Sequence, residues 1–147
     1  MATRSSAANR VYAVGDVAAY PVIASDIIYE GSAVGENASG YSRPLTAGDP
    51  FQGFAEETID NSSGAAGALN VRVKTKGFIK VAISAIAITS NDRPLVYASD
   101  DDTFTLTKGS NSLIGTVFQW LETGYAIVEF DAAAASLYTL GLAEATA

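Results

Sequence analysis

Three consecutive aspartates, Asp100-Asp101-Asp102, form the densest set of hard oxygen ligands in the chain. A Ca²⁺ loop needs spaced acids, a central glycine and a distal glutamate, and none of these follows in register. The run therefore reads as a solvated turn. Glu56, Glu57 and Asp60 are the carboxylates that glycoside hydrolysis would draw on. On a strand, the adjacent Glu56 and Glu57 would point to opposite faces, which leaves no working pair. Gly64-Ala65-Ala66-Gly67 is not followed by Lys-Ser or Lys-Thr and does not match a phosphate-binding loop. Trp120 and Tyr125 flank a single turn and carry ring faces on which a sugar or base could stack, although such residues more often serve as core and rim. Histidine and cysteine are both absent. That removes Ser-His-Asp and Cys-His nucleophiles, imidazole and thiolate metal sites, and disulfides. Composition leaves oxygen-only metal sites and carboxylate catalysis open, but no spacing supports them. The expectation is a protein that is not an enzyme, with no catalytic, metal or cofactor-binding residue.

Charge narrows the partners. A formal net charge of −7 argues against general nucleic-acid binding, which needs cations to displace phosphate counterions. The longest apolar run, residues 81–88, contains Ser84 and falls short of the roughly 20 residues of a membrane helix. The opening residues have no apolar centre and do not read as a secretory signal. A soluble, acidic protein made in the cytosol is expected. Against this background Arg72, Lys74, Lys76 and Lys80 stand out, holding four of the nine cations within nine residues. Such a stripe suits an edge strand that uses charge against aggregation. It also suits docking onto an acidic partner.

The elements that must position these residues are strands. With 147 residues, 48% hydrophobic and 17% charged, the chain is long enough for one domain with a real core. Residues 90–117 alternate turn and strand: a polar turn at Asn91 and Asp92, a strand at 94–98, the acidic turn, and a period-two strand at 103–107. A further turn leads into a strand at 113–117, so the stretch predicts a β-meander. Upstream, residues 17–24 contain Pro21, which favours a strand start or an edge. A short strand ends at Gly31, and Gly48-Asp49-Pro50 turns into a strand in which Gly53 permits a bulge or a close backbone approach. Residues 61–67 read as a loop. Residues 70–83 supply two strands broken at Gly77, with Val71 and Val73 alternating against Arg72, Lys74 and Lys76. Residues 114–121 and 125–130 form a last hairpin through Glu122-Thr123-Gly124.

The predicted fold is all-β, a compact antiparallel β-barrel or sandwich over residues 12–131. An extended N-terminal arm, 1–11, precedes it, and a C-terminal tail, 132–147, follows. The arm carries Arg4 and Arg10 and spans at most about 35 Å. The alanine run after Asp131 could start a helix, yet Gly141 and its brevity make an isolated helix marginal. Leu137, Tyr138, Leu140 and Leu142 are too apolar for an idle tail, so they fold back on the body or dock on another subunit.

Five segments together resemble the small capsid decoration, or cement, proteins of tailed bacteriophages. They begin with Gly48-Asp49-Pro50-Phe51 through Ala55, Asp60 through Gly67, and Asn70 through Gly77. Leu95 through Leu106 follows, and then Ile114-Gly115 with Tyr125 through Asp131. The resemblance covers roughly residues 12–131 and rests on turn and strand patterns. It implies a β-rich virion protein on the capsid exterior, made in the host cytoplasm, that binds the expanded head and clamps neighbouring major capsid proteins. It also favours a homo-oligomer, a trimer over a dimer. No cofactor, nucleic acid or membrane enters that role, and no binding residue transfers from the family. The residues themselves nominate Arg4, Arg10, Arg72, Lys74, Lys76, Leu137, Tyr138 and Leu140 as the partner-binding set. A phage tail or baseplate accessory β-module and a carbohydrate-binding module are the alternative readings.

Overall fold

Glycine, proline and Asp/Asn/Ser clusters interrupt the chain so often that only one strand among the described residues exceeds seven residues. The computed structural model describes residues 6–7 and 15–145, with side chains described as far as residue 141. The first half contains β1 (Val17–Pro21), β2 (Asp26–Ile28), β3 (Ala33–Glu36), β4 (Ser42–Pro44), β5 (Phe51–Ala55), β6 (Ile59–Asn61) and β7 (Asn70–Lys74). The second half contains β8 (Lys76–Ala82), β9 (Leu95–Ala98), β10 (Phe104–Thr105), β11 (Ser112–Glu122) and β12 (Tyr125–Asp131), followed by the helix α1 (Ala132–Ala145). The protein is all-β, and every strand ladder is antiparallel.

Two five-stranded sheets form, ordered β1-β7-β5-β3-β4 and β10-β9-β11-β12-β8, with β2 and β6 paired separately. Neither sheet closes as a continuous ladder. Each is instead pinned across its ends by a single parallel bridge, Val22 to Ser42 in the first and Ile83 to Phe104 in the second. The first sheet is buried on both faces at β3 and β5, which explains the unbroken burial of Ala33-Val34-Gly35 and Gly53-Phe54-Ala55. Ala33 and Phe54 face the second sheet's Val96, Ile114, Val128 and Phe130. Val34, Val71 and Val73 face the other way, onto Ile28 of β2 and Ile59 of β6. Aromatic rings join the two sheets: Phe54 meets Phe130 edge-on at 4.8 Å and lies 5.9 Å from Phe104.

Several sequence expectations meet their structure here. Pro21 ends an edge strand, where its missing N–H costs no ladder bond. Gly53 has φ +133°, and a Cβ there would lie 2.2 Å from the Lys74 carbonyl oxygen, so this is a close backbone approach. The hairpin of β11 and β12 turns at Thr123 and Gly124 as expected. The meander does not form: β9 lies between β10 and β11, and Ala98 pairs with Phe104 on one side and Ser112 on the other. The break in residues 70–83 falls at Thr75, not Gly77, because there the chain leaves the first sheet for the second. Consequently β7 is an interior strand, paired with both β1 and β5, and not an edge. The loop after Asn61 is held by its own chain, the Asn61 amide donating to the carbonyls of Ile23 and Ala65 at 2.8 and 3.0 Å.

The C-terminal tail, in which an isolated helix was expected to be marginal, is a helix. Asp131 caps it, its Oδ1 accepting the Ala134 N–H at 3.1 Å. Ala135 is buried, and Ala132 packs on the main core. Tertiary contact with β5 and β11 supplies what the isolated peptide lacks.

Candidate functional site

Alternation along β7 buries Val71 and Val73 and leaves Arg72 and Lys74 exposed. At Thr75 the chain crosses to β8, where Lys76, Phe78 and Lys80 take the outer face. The predicted cationic stripe is therefore real but divided between two sheets. Arg72 is neutralised: its Nε lies 3.2 Å from Glu56 Oε2 and 4.0 Å from Glu57 Oε2. Glu56 and Glu57 do not point to opposite faces, because they lie in a bend beyond β5 from which both reach Arg72. Lys80 pairs with Glu122 at 3.1 Å. Lys74 and Lys76 make no ion pair among the described residues.

Beside the stripe lies an aromatic cluster not anticipated from the sequence. Phe78 is 60% exposed and meets the exposed Phe118 edge-on at 4.8 Å. Arg93 lies over Phe118, 5.6 Å from the ring centroid, while its guanidinium holds Glu129 at 2.9 Å. Lys80 sits 4.9 Å from the centroid of Tyr125. Cations over ring faces are favourable, and here each is also ion-paired. Phe78 was legible, since it shares a period-two face with Lys76 and Lys80. Phe118 was not, because a register shift between Leu113 and Gly115 breaks the alternation set by Ile114, turning Val117 inward and Phe118 outward.

Helix α1 presents the second exposed apolar surface. Leu137 is 71% and Leu140 62% exposed, with Tyr138 also on the surface. Between α1 and the strands runs a groove of about 570 Å³, lined by Phe51, Tyr97, Leu113, Tyr138 and Leu140 among others. Burial pushes the Tyr97 phenol above its ordinary value, and nearby Tyr138 adds to the shift. So Leu137, Tyr138 and Leu140 share one element, well separated in sequence from Arg72, Lys74 and Lys76. Arg4 and Arg10 lie outside the described residues, as does the side chain of Leu142.

The remaining candidates resolve into structural roles. Asp100 closes its own turn, accepting the Asp102 N–H at 2.9 Å and the Thr103 hydroxyl at 3.1 Å. Burial raises the Asp101 carboxyl above the usual range, opposed by a hydrogen bond from Ser32 and aided by Asp100 and Asp102. Among the described residues no group of acids is arranged to hold a metal. Trp120 pairs in register with buried Ala126 and packs on the core, whereas Tyr125 is exposed under Lys80. Opposite faces of the hairpin thus carry the two rings, so they share no stacking platform. Asp49, expected only as part of a turn, joins the sheets. Its carboxylate accepts two bonds from Arg43, at 2.7 and 2.9 Å, and the Thr46 N–H at 3.0 Å, while its carbonyl accepts the Ser112 hydroxyl at 2.6 Å.

No family model, curated protein or solved structure shows significant similarity to the chain.

Proposed function

We propose that this protein is a structural virion component that decorates the outside of a tailed-phage head and clamps neighbouring major capsid proteins. The body is read as a two-layer β-sandwich, its sheets sharing the phenylalanine-rich core. The observation that carries the reading is the uncharged, exposed face of α1. From residue 132 to residue 143 the chain has no ionisable group except Tyr138, and among its described side chains the helix buries little more than Ala132 and Ala135. A helix apolar around its circumference belongs under another surface. In a chain of net charge −7, such a neutral face lets identical copies meet without like charges in contact. Self-association through α1, with the trimer favoured by the family resemblance, would leave the basic and aromatic flank of β8 for the capsid.

The proposal requires no chemistry, only a stable body and contact area. Purified protein should co-sediment with expanded heads of the phage that encodes it, and light scattering should show a homo-oligomer at micromolar concentration. Leu137→Ser with Leu140→Ser should dissociate that oligomer and lower head occupancy, with the sheets still folded by circular dichroism. Failure of the parent protein to sediment with heads would reject the reading.

A further inference from the structure

Among the described residues β8 is the longest edge strand, seven residues whose only ladder is with β12; its far edge is pinned only beyond its C-terminal end, by the bridge from Ile83 to Phe104. Among the described residues no hydrogen bond reaches its other edge between Gly77 and Ala82. Long exposed edges are templates for a further strand unless they are short, bulged or covered. This one is regular: seven successive residues of β8 pair with β12 without a register shift. Beside it lies an open groove of about 490 Å³ lined by Phe54, Phe78, Ile79 and Phe130 together with the charged Glu30, Glu56, Arg72 and Lys74.

We propose that β8 accepts an extended segment of a partner protein as an added strand, and that this segment alternates apolar and acidic residues. An added strand presents its side chains to the two faces in turn. On the groove side, its apolar residues would cover Ile79 and Phe130. On the outer side, the intervening acids would lie along Lys76 and Lys80 and beside Phe78. Charge selects the occupant. Arg72, Lys80 and Arg93 on this flank are already paired with Glu56, Glu122 and Glu129, so the cations left for an occupant are Lys74 and Lys76, which have no ion-pair partner among the described residues. Two copies of β8 meeting edge to edge would instead set four lysines along one ladder, which disfavours self-pairing at this edge. The proposal deepens the decoration reading by stating how the partner is held; head sedimentation tests that reading and the following titration tests this one, so either can fail alone.

The probe is the peptide acetyl-(Glu-Val)4-amide, titrated into the isotope-labelled full chain while backbone amide resonances are followed. The expected result is saturable binding at up to millimolar peptide, with shifts concentrated in residues 76–82. Lys74→Glu with Lys76→Glu should weaken it about tenfold, and acetyl-(Lys-Val)4-amide should bind that variant better than it binds the parent. Lys76 lies opposite Asp131 at the start of α1, so Lys74→Glu alone serves as the second variant, with a smaller loss in the same direction. Absence of saturation, shifts centred on the α1 groove, equal affinity in the variants, or a dimer joined through β8 would each overturn the proposal.

Discussion

The turn at Asp49 and the edge at β8 both set charge beside phenylalanine rings, and they put that pairing to opposite uses. At Asp49 every group has a partner within the chain. Arg43 grips the carboxylate with two bonds, Ser112 reaches across from the second sheet, and Phe51 packs edge-on to Phe54 at 5.5 Å. At β8 the rings face solvent, Lys74 and Lys76 have no ion-pair partner among the described residues, and the backbone edge is unpaired from Gly77 to Ala82. The same residue types therefore join two sheets in one place and leave a surface to be covered in the other. The deciding factor is desolvation. A charge at the seam must be satisfied internally or it destabilises the fold, whereas an exposed charge contributes little until a partner excludes water.

The largest effect should come from breaking the seam side of that contrast through its backbone. Gly53→Val places a branched side chain at φ +133° and against the Lys74 carbonyl oxygen, where a Cβ would lie only 2.2 Å away. It should cost more than about 3 kcal/mol in denaturant unfolding. Next is Asp49→Ala, which strands the Arg43 guanidinium and the Thr46 N–H; a loss of about 2–4 kcal/mol is expected by the same measurement.

A smaller, pH-dependent effect belongs to Asp101. Its raised carboxyl binds a proton more tightly in the folded than in the unfolded protein. The resulting penalty is absent below the ordinary carboxylate range and complete above the raised value. Asp101→Asn should therefore melt higher than the parent near pH 7, and the gap should close as pH falls through that window. A gap that widened on acidification would reverse the assignment. The smallest stability effect should be on the flank: Phe78→Ser should change unfolding free energy by no more than about 0.5 kcal/mol, because the ring is 60% exposed. A loss as large as that of Asp49→Ala would mean the flank is a structural seam after all.

Local chemistry on its own determined a good deal. Turn residues and period-two alternation located most strands, the glycine close approach at Gly53, the edge position of Pro21 and the last hairpin, since each depends on neighbours within a few residues. The exposed side of β7 was equally legible, because Val71 and Val73 can be buried only by turning Arg72 and Lys74 outward. The cap that Asp131 places ahead of four alanines was not read from the sequence. Its weight was hidden because an alanine-rich segment of this length gains its stability from packing on β5 and β11, which are distant in sequence. Strand order was likewise beyond local reading. The alternation of residues 103–107 and 113–117 is equally compatible with a meander or with β9 in the middle. Only the burial of Phe104 against Phe54 of the other sheet selects the second. Which cations stay unpaired was also a tertiary outcome. Arg72 is matched by acids sixteen and fifteen residues upstream and Lys80 by one forty-two residues downstream, while Lys74 and Lys76 find none among the described residues. Sequence spacing sets what each residue offers along its own strand, but long-range pairing decides which offers are taken up inside the fold and which remain for a partner.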